Sequence, residues 1–180
     1  MQFVMQISPT NVAGCFVITP VKHADDRGHF ARLWDKDVAV LHGLDTDIGI
    51  IATTLNHAKG TLRGMHFQSP PFAETKLVRV VRGSIFDVAL DLRKDSPTYL
   101  KWHGELLSAS RAGQLYIPKG CAHGYLTLED DTELNYLLSS PHAPSHASGV
   151  RYNDAAFAID WPGEVRVIAP RDAGYADYQT

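Results

Sequence analysis

Short segments with the pattern of β-strands dominate the chain and constrain its fold more than any other feature. In SIFDVALDL, residues 84–92, large apolar side chains stand at every second position, as they do in a strand. Further segments of this kind follow at short spacing between turn residues: TLRGMHF, KLVRVVRG, KWHGELLSA, QLYIP, GYLTL and TELNYLL. Many short, evenly spaced strands predict a mainly β fold, either a sandwich or a barrel.

One segment has a helical pattern instead. Between Ala31 and Gly43, the apolar residues Trp34, Val38 and Leu41 are spaced at i, i+4 and i+7, and the glycine provides a stop. The chain of 180 residues has no internal repeat and no low-complexity linker. We therefore expect a single domain over residues 1–180 with few helices.

Charge and composition exclude several classes of partner. The net charge of −3 gives no chain-wide attraction to nucleic acid or to an anionic membrane. The apolar runs are far shorter than the ~20 residues of a membrane span, and no Lys or Arg precedes the first apolar residues as in a signal peptide. Cys15 and Cys121 lack zinc or redox spacing. We expect reduced thiols in a cytoplasmic protein.

The segment LRGMHFQSPPFAETKLVRVVRG, residues 62–83, gathers many polar side chains into strand-forming sequence. His66 and Gln68 share one face of the predicted strand, and Gly64 permits close approach to the backbone. Arg63 and Lys76 supply the fixed positive charge that binds phosphate. The alternative interpretation is a structural histidine with satisfied hydrogen bonds beside solvated strand cations.

A second cluster, IPKGCAHGY at residues 117–125, contains a Pro-x-Gly-x-x-His run that resembles the second motif of cupin barrels. A metal site of the cupin kind would use His66, Gln68, Glu74 and His123. However, Gln68 stands where the first cupin motif has its second histidine, and Glu74 lies farther along than that motif prefers. Since imidazole is the favoured neutral nitrogen ligand, the sequence argues against a functional metal.

Two further residues each allow two interpretations. Tyr136 is either a core residue with a satisfied hydroxyl or a general acid. Asp172 is either a solvated turn residue or the carboxylate that orients a histidine through Nδ1. Spacing alone does not choose between the two in either case.

Several motifs together resemble the dTDP-4-dehydrorhamnose 3,5-epimerase family: LRGMHFQ, KLVRVVRGSIFDVALDLRKDSPT, IPKGCAHGY and GVRYNDAAFAIDWP. The resemblance runs in order from DDRGHF near residue 25 to PRDAG near residue 174. It implies a cupin-type jelly roll, a homodimer and a reaction without metal or other cofactor. The implied substrate is a nucleoside-diphosphate 4-keto-6-deoxy sugar that is inverted at C3, C5 or both.

This reaction needs a base that removes a proton next to a ketone and a donor for the enolate oxygen. The resemblance assigns His66 as the base, Asp172 as its partner, Tyr136 as the acid and Lys76 as the cation near the keto oxygen. Further substrate contacts are implied for Asn56, Arg63, Gln68, His123 and Arg171, and for Arg27 and Phe30 in a segment that reaches across the dimer.

The chain departs from the family pattern at three positions. Arg32 and Ala147 stand where the family commonly has glutamate, and His142 stands where it has an aromatic residue that stacks on thymine. Arg32 and His142 are predicted to bind substrate, and whether they contact the base stays open from the sequence. An arginine only donates hydrogen bonds, so Arg32 would suit a base that presents acceptors, such as cytosine or guanine.

The sequence alone leaves other functions open. They are the same chemistry on a CDP- or GDP-linked sugar, a sugar-nucleotide-binding cupin without catalysis, a metal-dependent cupin oxygenase or isomerase, and a keto-isomerase that uses similar acid–base groups.

Overall fold

Two antiparallel sheets face each other in the computed structural model, which describes residues 5–179. The strands are β1 (Met5–Pro9), β2 (Phe16–Pro20), β3 (Lys22–Asp25), β4 (Gly28–Ala31), β5 (Ile50–Asn56), β6 (Thr61–Gln68), β7 (Lys76–Arg82), β8 (Ser84–Asp91), β9 (Trp102–Ser108), β10 (Gln114–Ile117), β11 (Cys121–Thr127), β12 (Thr132–Leu138), β13 (Ala147–Gly149) and β14 (Val167–Ile168). The helices are α1 (Lys36–Leu41) and α2 (Pro170–Ala173). The predicted mainly β fold with a few short helices is confirmed.

The strand order explains how distant segments meet. The first sheet has the order β1-β2-β10-β7-β12-β5, and the second has the order β13-β6-β11-β8-β9. β14 joins β6 as a parallel neighbour, whereas β3 and β4 form a separate hairpin. The segment that follows β12 ends in β13, which pairs with β6.

The largest buried cluster lies between the sheets. It combines Val78 and Leu134 of the first sheet with Ile85 and Tyr125 of the second. The other face of β8, which carries the large apolar residues of the alternating pattern, is also covered. Val88 and Leu90 pack there against residues that follow β13, including Phe157. Both faces of β8 are therefore buried, although its pattern alternates.

The helix is shorter than its pattern predicts. Ala31 belongs to β4, and the helix begins only at Lys36 because Asp35 caps it, accepting from the backbone N–H groups of Asp37 and Val38. Leu41, predicted to lie on the apolar face, is 73% exposed. Within residues 5–179, no helix is long and apolar enough to span a bilayer.

Candidate active site

A cavity of about 280 Å³ opens between the two sheets. His66 on β6 and His123 on β11 are register partners in the second sheet, while Lys76 on β7 and Tyr136 on β12 come from the first sheet. The full lining is Thr54, Arg63, His66, Glu74, Lys76, His123, Tyr125, Tyr136, Leu138 and His142. The two rings predicted to be base and acid therefore face one cavity.

A hydrogen bond joins His66 to Asp172 and fixes the imidazole. The Nε2–H group donates to Oδ1 of Asp172 at 2.8 Å, and the other carboxylate oxygen accepts from the backbone N–H of Gly64 at 3.2 Å. The sequence-based expectation placed this contact at Nδ1. With Nε2 bound to the carboxylate, Nδ1 is the nitrogen left without a proton and able to act as a base.

Gly64 permits this arrangement because β6 and β11 approach closely beside it. A Cβ atom at this position would lie 2.5 Å from Cα of Gly124, and the backbone φ of +143° disfavours any L side chain. The glycine thus brings its N–H to Asp172 while keeping His66 beside His123. The glycine of the LRGMH motif is therefore required for the backbone conformation, in addition to the side chains that the motif supplies.

Burial lowers the pKa of His66 below its ordinary value of 6.5. The hydrogen bond and the negative charge of Asp172 oppose this shift, whereas the positive charges of Lys76 and Arg171 add to it. The imidazole is consequently neutral near pH 7. A neutral imidazole beside a carboxylate is able to accept a proton and to be stabilised once charged.

A second histidine–carboxylate pair lies next to the first. Nε2 of His123 donates to Oδ1 of Asp87 at 2.7 Å, and both side chains are almost fully buried. Asp87 was not among the site residues predicted from the sequence. It could have been found because it is an acidic residue between apolar neighbours at an inward position of β8, where a buried carboxylate needs a partner.

Tyr136 lies deep in the cavity wall, with its ring 6.1 Å from that of His123. Burial and the neighbouring Tyr125 hydroxyl raise the pKa of Tyr136 well above its ordinary value. The Tyr125 hydroxyl donates to Oδ1 of Asn56 at 3.1 Å, and Nε of Arg63 donates to the same oxygen at 2.8 Å. Tyr136 therefore stays protonated and is able to donate.

Lys76 places a buried cation beside His66. Its ammonium lies 3.3 Å from Oε1 of Glu74 and 3.4 Å from the backbone oxygen of His66, and only 10% of its side chain is exposed. Burial lowers the pKa of Lys76, and Glu74 is the largest influence against that shift. The Lys76 ammonium presents positive charge to an oxygen atom that enters the cavity.

Gln68, predicted to contact substrate, does not line the cavity. Its amide is 5% exposed and bonds to the backbone around the 141–143 loop, accepting from the N–H of Ala143 at 2.7 Å and donating to the oxygen of Pro141 at 3.2 Å. No group of three or more His, Cys, Asp or Glu side chains within residues 5–179 is arranged to hold a metal.

A neighbouring cavity of about 390 Å³ shares Arg63 and His66 with the first and is also lined by Arg171 and Asp172. Arg171 is exposed, and its Nε lies 3.6 Å from Oδ1 of Asp172. Two guanidinium groups therefore stand beside the proposed base. Such groups suit the phosphates of a nucleotide.

Three of the predicted contacts lie away from both cavities. Arg27 pairs with Asp25 in the exposed hairpin of β3 and β4, and Phe30 in the same hairpin is 67% exposed. Arg32 pairs with Asp35, at 2.6 Å between Nη1 and Oδ2. His142, by contrast, lines the first cavity.

Comparison with known proteins gives consistent results. The family model described as dTDP-4-dehydrorhamnose 3,5-epimerase matches residues 9–179. A curated protein of that name from Sinorhizobium fredii is 39% identical over 165 residues, covering 88% of this chain and 81% of the relative. Its Escherichia coli counterpart is 38% identical over 172 residues, covering 93% and 91%.

Solved structures agree closely with this fold. The dTDP-4-dehydrorhamnose 3,5-epimerase of Bacillus anthracis, with TDP and pyrophosphate bound, superposes with a TM-score of 0.92 at 37% identity, covering 97% of this chain and 99% of the other. The 3,5-epimerase of Legionella pneumophila, in complex with dTDP-4-keto-L-rhamnose, gives a TM-score of 0.88 at 33% identity, covering 98% and 100%. The predicted cupin-type architecture is confirmed.

Proposed function

Because the chain belongs to the dTDP-4-dehydrorhamnose 3,5-epimerase family, a family of isomerases, we propose that it inverts C3, C5 or both carbons of a dTDP-linked 4-keto-6-deoxy sugar. One observation carries the proposed mechanism: a neutral imidazole backed by a carboxylate and a protonated phenol face the same cavity. The bound TDP and the bound 4-keto sugar of the solved relatives support the substrate class.

His66 begins the proposed reaction by removing a proton from the carbon next to the ketone. The C–H bond breaks, its electrons form the enolate, and the proton moves to Nδ1 of His66. Asp172, at 2.8 Å from Nε2, stabilises the resulting imidazolium. The Lys76 ammonium offsets the negative charge on the enolate oxygen. Residues from both sheets thus share the first step.

Tyr136 completes the inversion by delivering a proton to the opposite face of the same carbon. Its raised pKa keeps the hydroxyl protonated until that step, and positive charge from Arg63 favours the phenolate that follows. Solvent then reprotonates Tyr136 and takes the proton from His66. The roles of Arg63 and Arg171 are to bind the diphosphate beside the base.

We also propose that the enzyme works as a homodimer in the cytoplasm. The hairpin of β3 and β4 is exposed along its length, and the edge strand β5 presents Ile51 and Leu55, which are 74% and 40% exposed. A second copy would cover these side chains and bring Arg27 and Phe30 to its nucleotide. The buried free thiols of Cys15 and Cys121 suit a reducing compartment.

The decisive experiment is turnover of dTDP-, CDP- and GDP-linked 4-keto-6-deoxyhexoses in deuterium oxide, read by mass spectrometry and NMR. We expect deuterium at C3, C5 or both with the dTDP sugar, and none with the His66→Ala variant, which should still bind dTDP. Binding without exchange would indicate a non-catalytic sugar-nucleotide protein. A carbonyl at a new ring position would indicate a keto-isomerase.

The same panel tests the base preference suggested by Arg32. Clear preference for dTDP would refute a role in reading cytosine or guanine, and preference for CDP or GDP would overturn the dTDP assignment. Activity that survives a chelator would separate this enzyme from metal-dependent cupins. Light scattering of the purified protein tests the homodimer, and a monomer at working concentrations would refute it.

A further inference from the structure

We propose that Glu74 and Gln68 form a bridge that holds the Lys76 ammonium and the 141–143 loop in one arrangement. Both would then be positioning residues, since neither has to touch the reacting atoms. This inference rests on the function proposed above and adds two residues that act through others. It also gives Gln68 a different task from the substrate contact predicted by resemblance.

The first half of the bridge is the contact between Glu74 and Lys76. Oε1 lies 3.3 Å from Nζ, with 11% of the glutamate side chain and 10% of the lysine side chain exposed. The same ammonium donates to the backbone oxygen of His66 at 3.4 Å. An ammonium removed from water needs such acceptors to remain charged. Glu74 therefore fixes both the position and the protonation of Lys76.

The second half runs from Glu74 to the loop through Gln68. Nε2 of Gln68 lies 3.3 Å from Oε2 of Glu74 and 3.2 Å from the backbone oxygen of Pro141. Oε1 of Gln68 accepts from the N–H of Ala143 at 2.7 Å. His142 stands between these two anchored positions and lines the cavity. The buried amide of Gln68 thus anchors the residues on both sides of His142, which closes this part of the cavity wall.

The bridge makes two features of the site depend on each other. If the loop moves away, Gln68 loses two of the partners that orient it toward Glu74 and keeps its hydrogen bond to the backbone oxygen of Phe72, at 3.0 Å. If Glu74 loses its charge, Lys76 loses its counter-ion. Among the other groups near Lys76, Asp87 also raises the pKa of the ammonium, but less than Glu74 does. The titratable or charged groups that share the cavity or pack behind it are Arg63, His66, Asp87, His123, Tyr125, Tyr136, His142 and Asp172.

The first test replaces Glu74 with glutamine, which keeps the shape and removes the charge. Trace labelling with acetic anhydride across a pH series, read by mass spectrometry, gives the titration of Lys76 without any substrate. We expect the Lys76 midpoint to fall by about one pH unit or more, and the alkaline limb of kcat to move in the same direction. Glu129→Gln, an exposed carboxylate in the turn after β11, should change neither. An unchanged Lys76 midpoint would overturn the first half of the bridge.

The second test replaces Gln68 with methionine, which keeps the length and removes both hydrogen-bonding groups. We expect KM for the dTDP sugar to rise about tenfold, with kcat within about threefold of the wild-type value. The added cost of His142→Ala should largely disappear in the Gln68→Met background, because the loop is already free. Gln6→Met, at an exposed position of β1, is the matched control. Strictly additive effects, or an unchanged KM, would overturn the second half.

The outcomes separate this inference from the proposed function. Labelling of Lys76 needs no turnover, so it tests the first half of the bridge even if the wild type exchanges no proton. Wild-type turnover with a Glu74→Gln titration like the wild type would refute the bridge and leave the epimerase proposal intact. Circular dichroism of each variant verifies folding; if Gln68→Met does not fold, Gln68→Leu, which also lacks hydrogen-bonding groups, takes its place in the second test.

Discussion

Replacement of Asp172 by asparagine changes charge and hydrogen-bond pattern while nearly conserving shape. In the wild type, one carboxylate oxygen accepts from Nε2 of His66 at 2.8 Å and the other from the N–H of Gly64 at 3.2 Å. An asparagine has one oxygen and one NH₂ group for these two donors. If the asparagine oxygen accepts from the N–H of Gly64, the NH₂ group faces Nε2 of His66. The His66 proton must then move to Nδ1, where it blocks the base. If the oxygen instead accepts from Nε2 of His66, the NH₂ group and the N–H of Gly64 are two donors that face each other.

Two effects set the expected size of the loss. A carboxylate at this distance favours the imidazolium by about 1–3 pKa units, which is about 1.4–4 kcal/mol at 1.36 kcal/mol per unit. The lower part of that range applies because 32% of the His66 side chain is exposed. Opposed donors, or the wrong tautomer, cost a further 1–3 kcal/mol or so. We therefore expect kcat for Asp172→Asn to fall by about 10²–10⁴-fold.

The assay is the rate of deuterium entry into the 4-keto sugar, measured beside the dissociation constant for dTDP. Binding of dTDP should stay within about threefold of the wild-type value, because the substitution acts on the base. Asp95→Asn, in an exposed turn, is the control and should match the wild type in both measurements. A fall in the exchange rate of less than about fivefold would refute the assignment of Asp172 as the partner of the base.

Three further predictions test other parts of the site. Tyr136→Phe should still allow a proton to leave but slow completion of the inversion by about 10²-fold or more; unchanged product formation would remove Tyr136 from the mechanism. Since the pKa of His66 is lowered from 6.5, the acid limb of kcat/KM should have its midpoint below pH 6.5, and a midpoint above pH 7 would contradict a buried neutral base. Gly64→Ala should destabilise the fold by about 2–4 kcal/mol, through a Cβ 2.5 Å from the Gly124 backbone and a disfavoured φ; a thermal unfolding midpoint equal to that of the wild type would show that β6 and β11 separate easily.

The fold was predictable because strand patterns are local. The alternation in residues 84–92 identified β8, and turn residues separated its neighbours. The start of α1 was not predictable from periodicity, because the competing signal was the capping side chain of Asp35. The alternating pattern also did not predict that both faces of β8 are buried, because the residues that cover its apolar face, such as Phe157, lie far along the chain.

The residues of the candidate site were easier to predict from the sequence than the contacts between them. His66 and Tyr136 do share a cavity, and Asp172 does reach the imidazole. Which ring nitrogen it reaches depends on the approach of α2, which no local pattern encodes. Asp87 was missed for a similar reason: only the pairing of β8 with β11 places it opposite His123. Gln68 has a polar side chain on the expected strand, yet two of its partners, Pro141 and Ala143, belong to a loop more than seventy residues later.

The carboxylate behind the base lies 106 residues after it, on the last helix of the fold. Synthesis reaches this carboxylate only after every strand of both sheets, because β14 ends at Ile168. A copy that ends at residue 170 would retain the sequence of every strand yet lack the partner of His66. The base therefore depends on the segment that is made last among these elements.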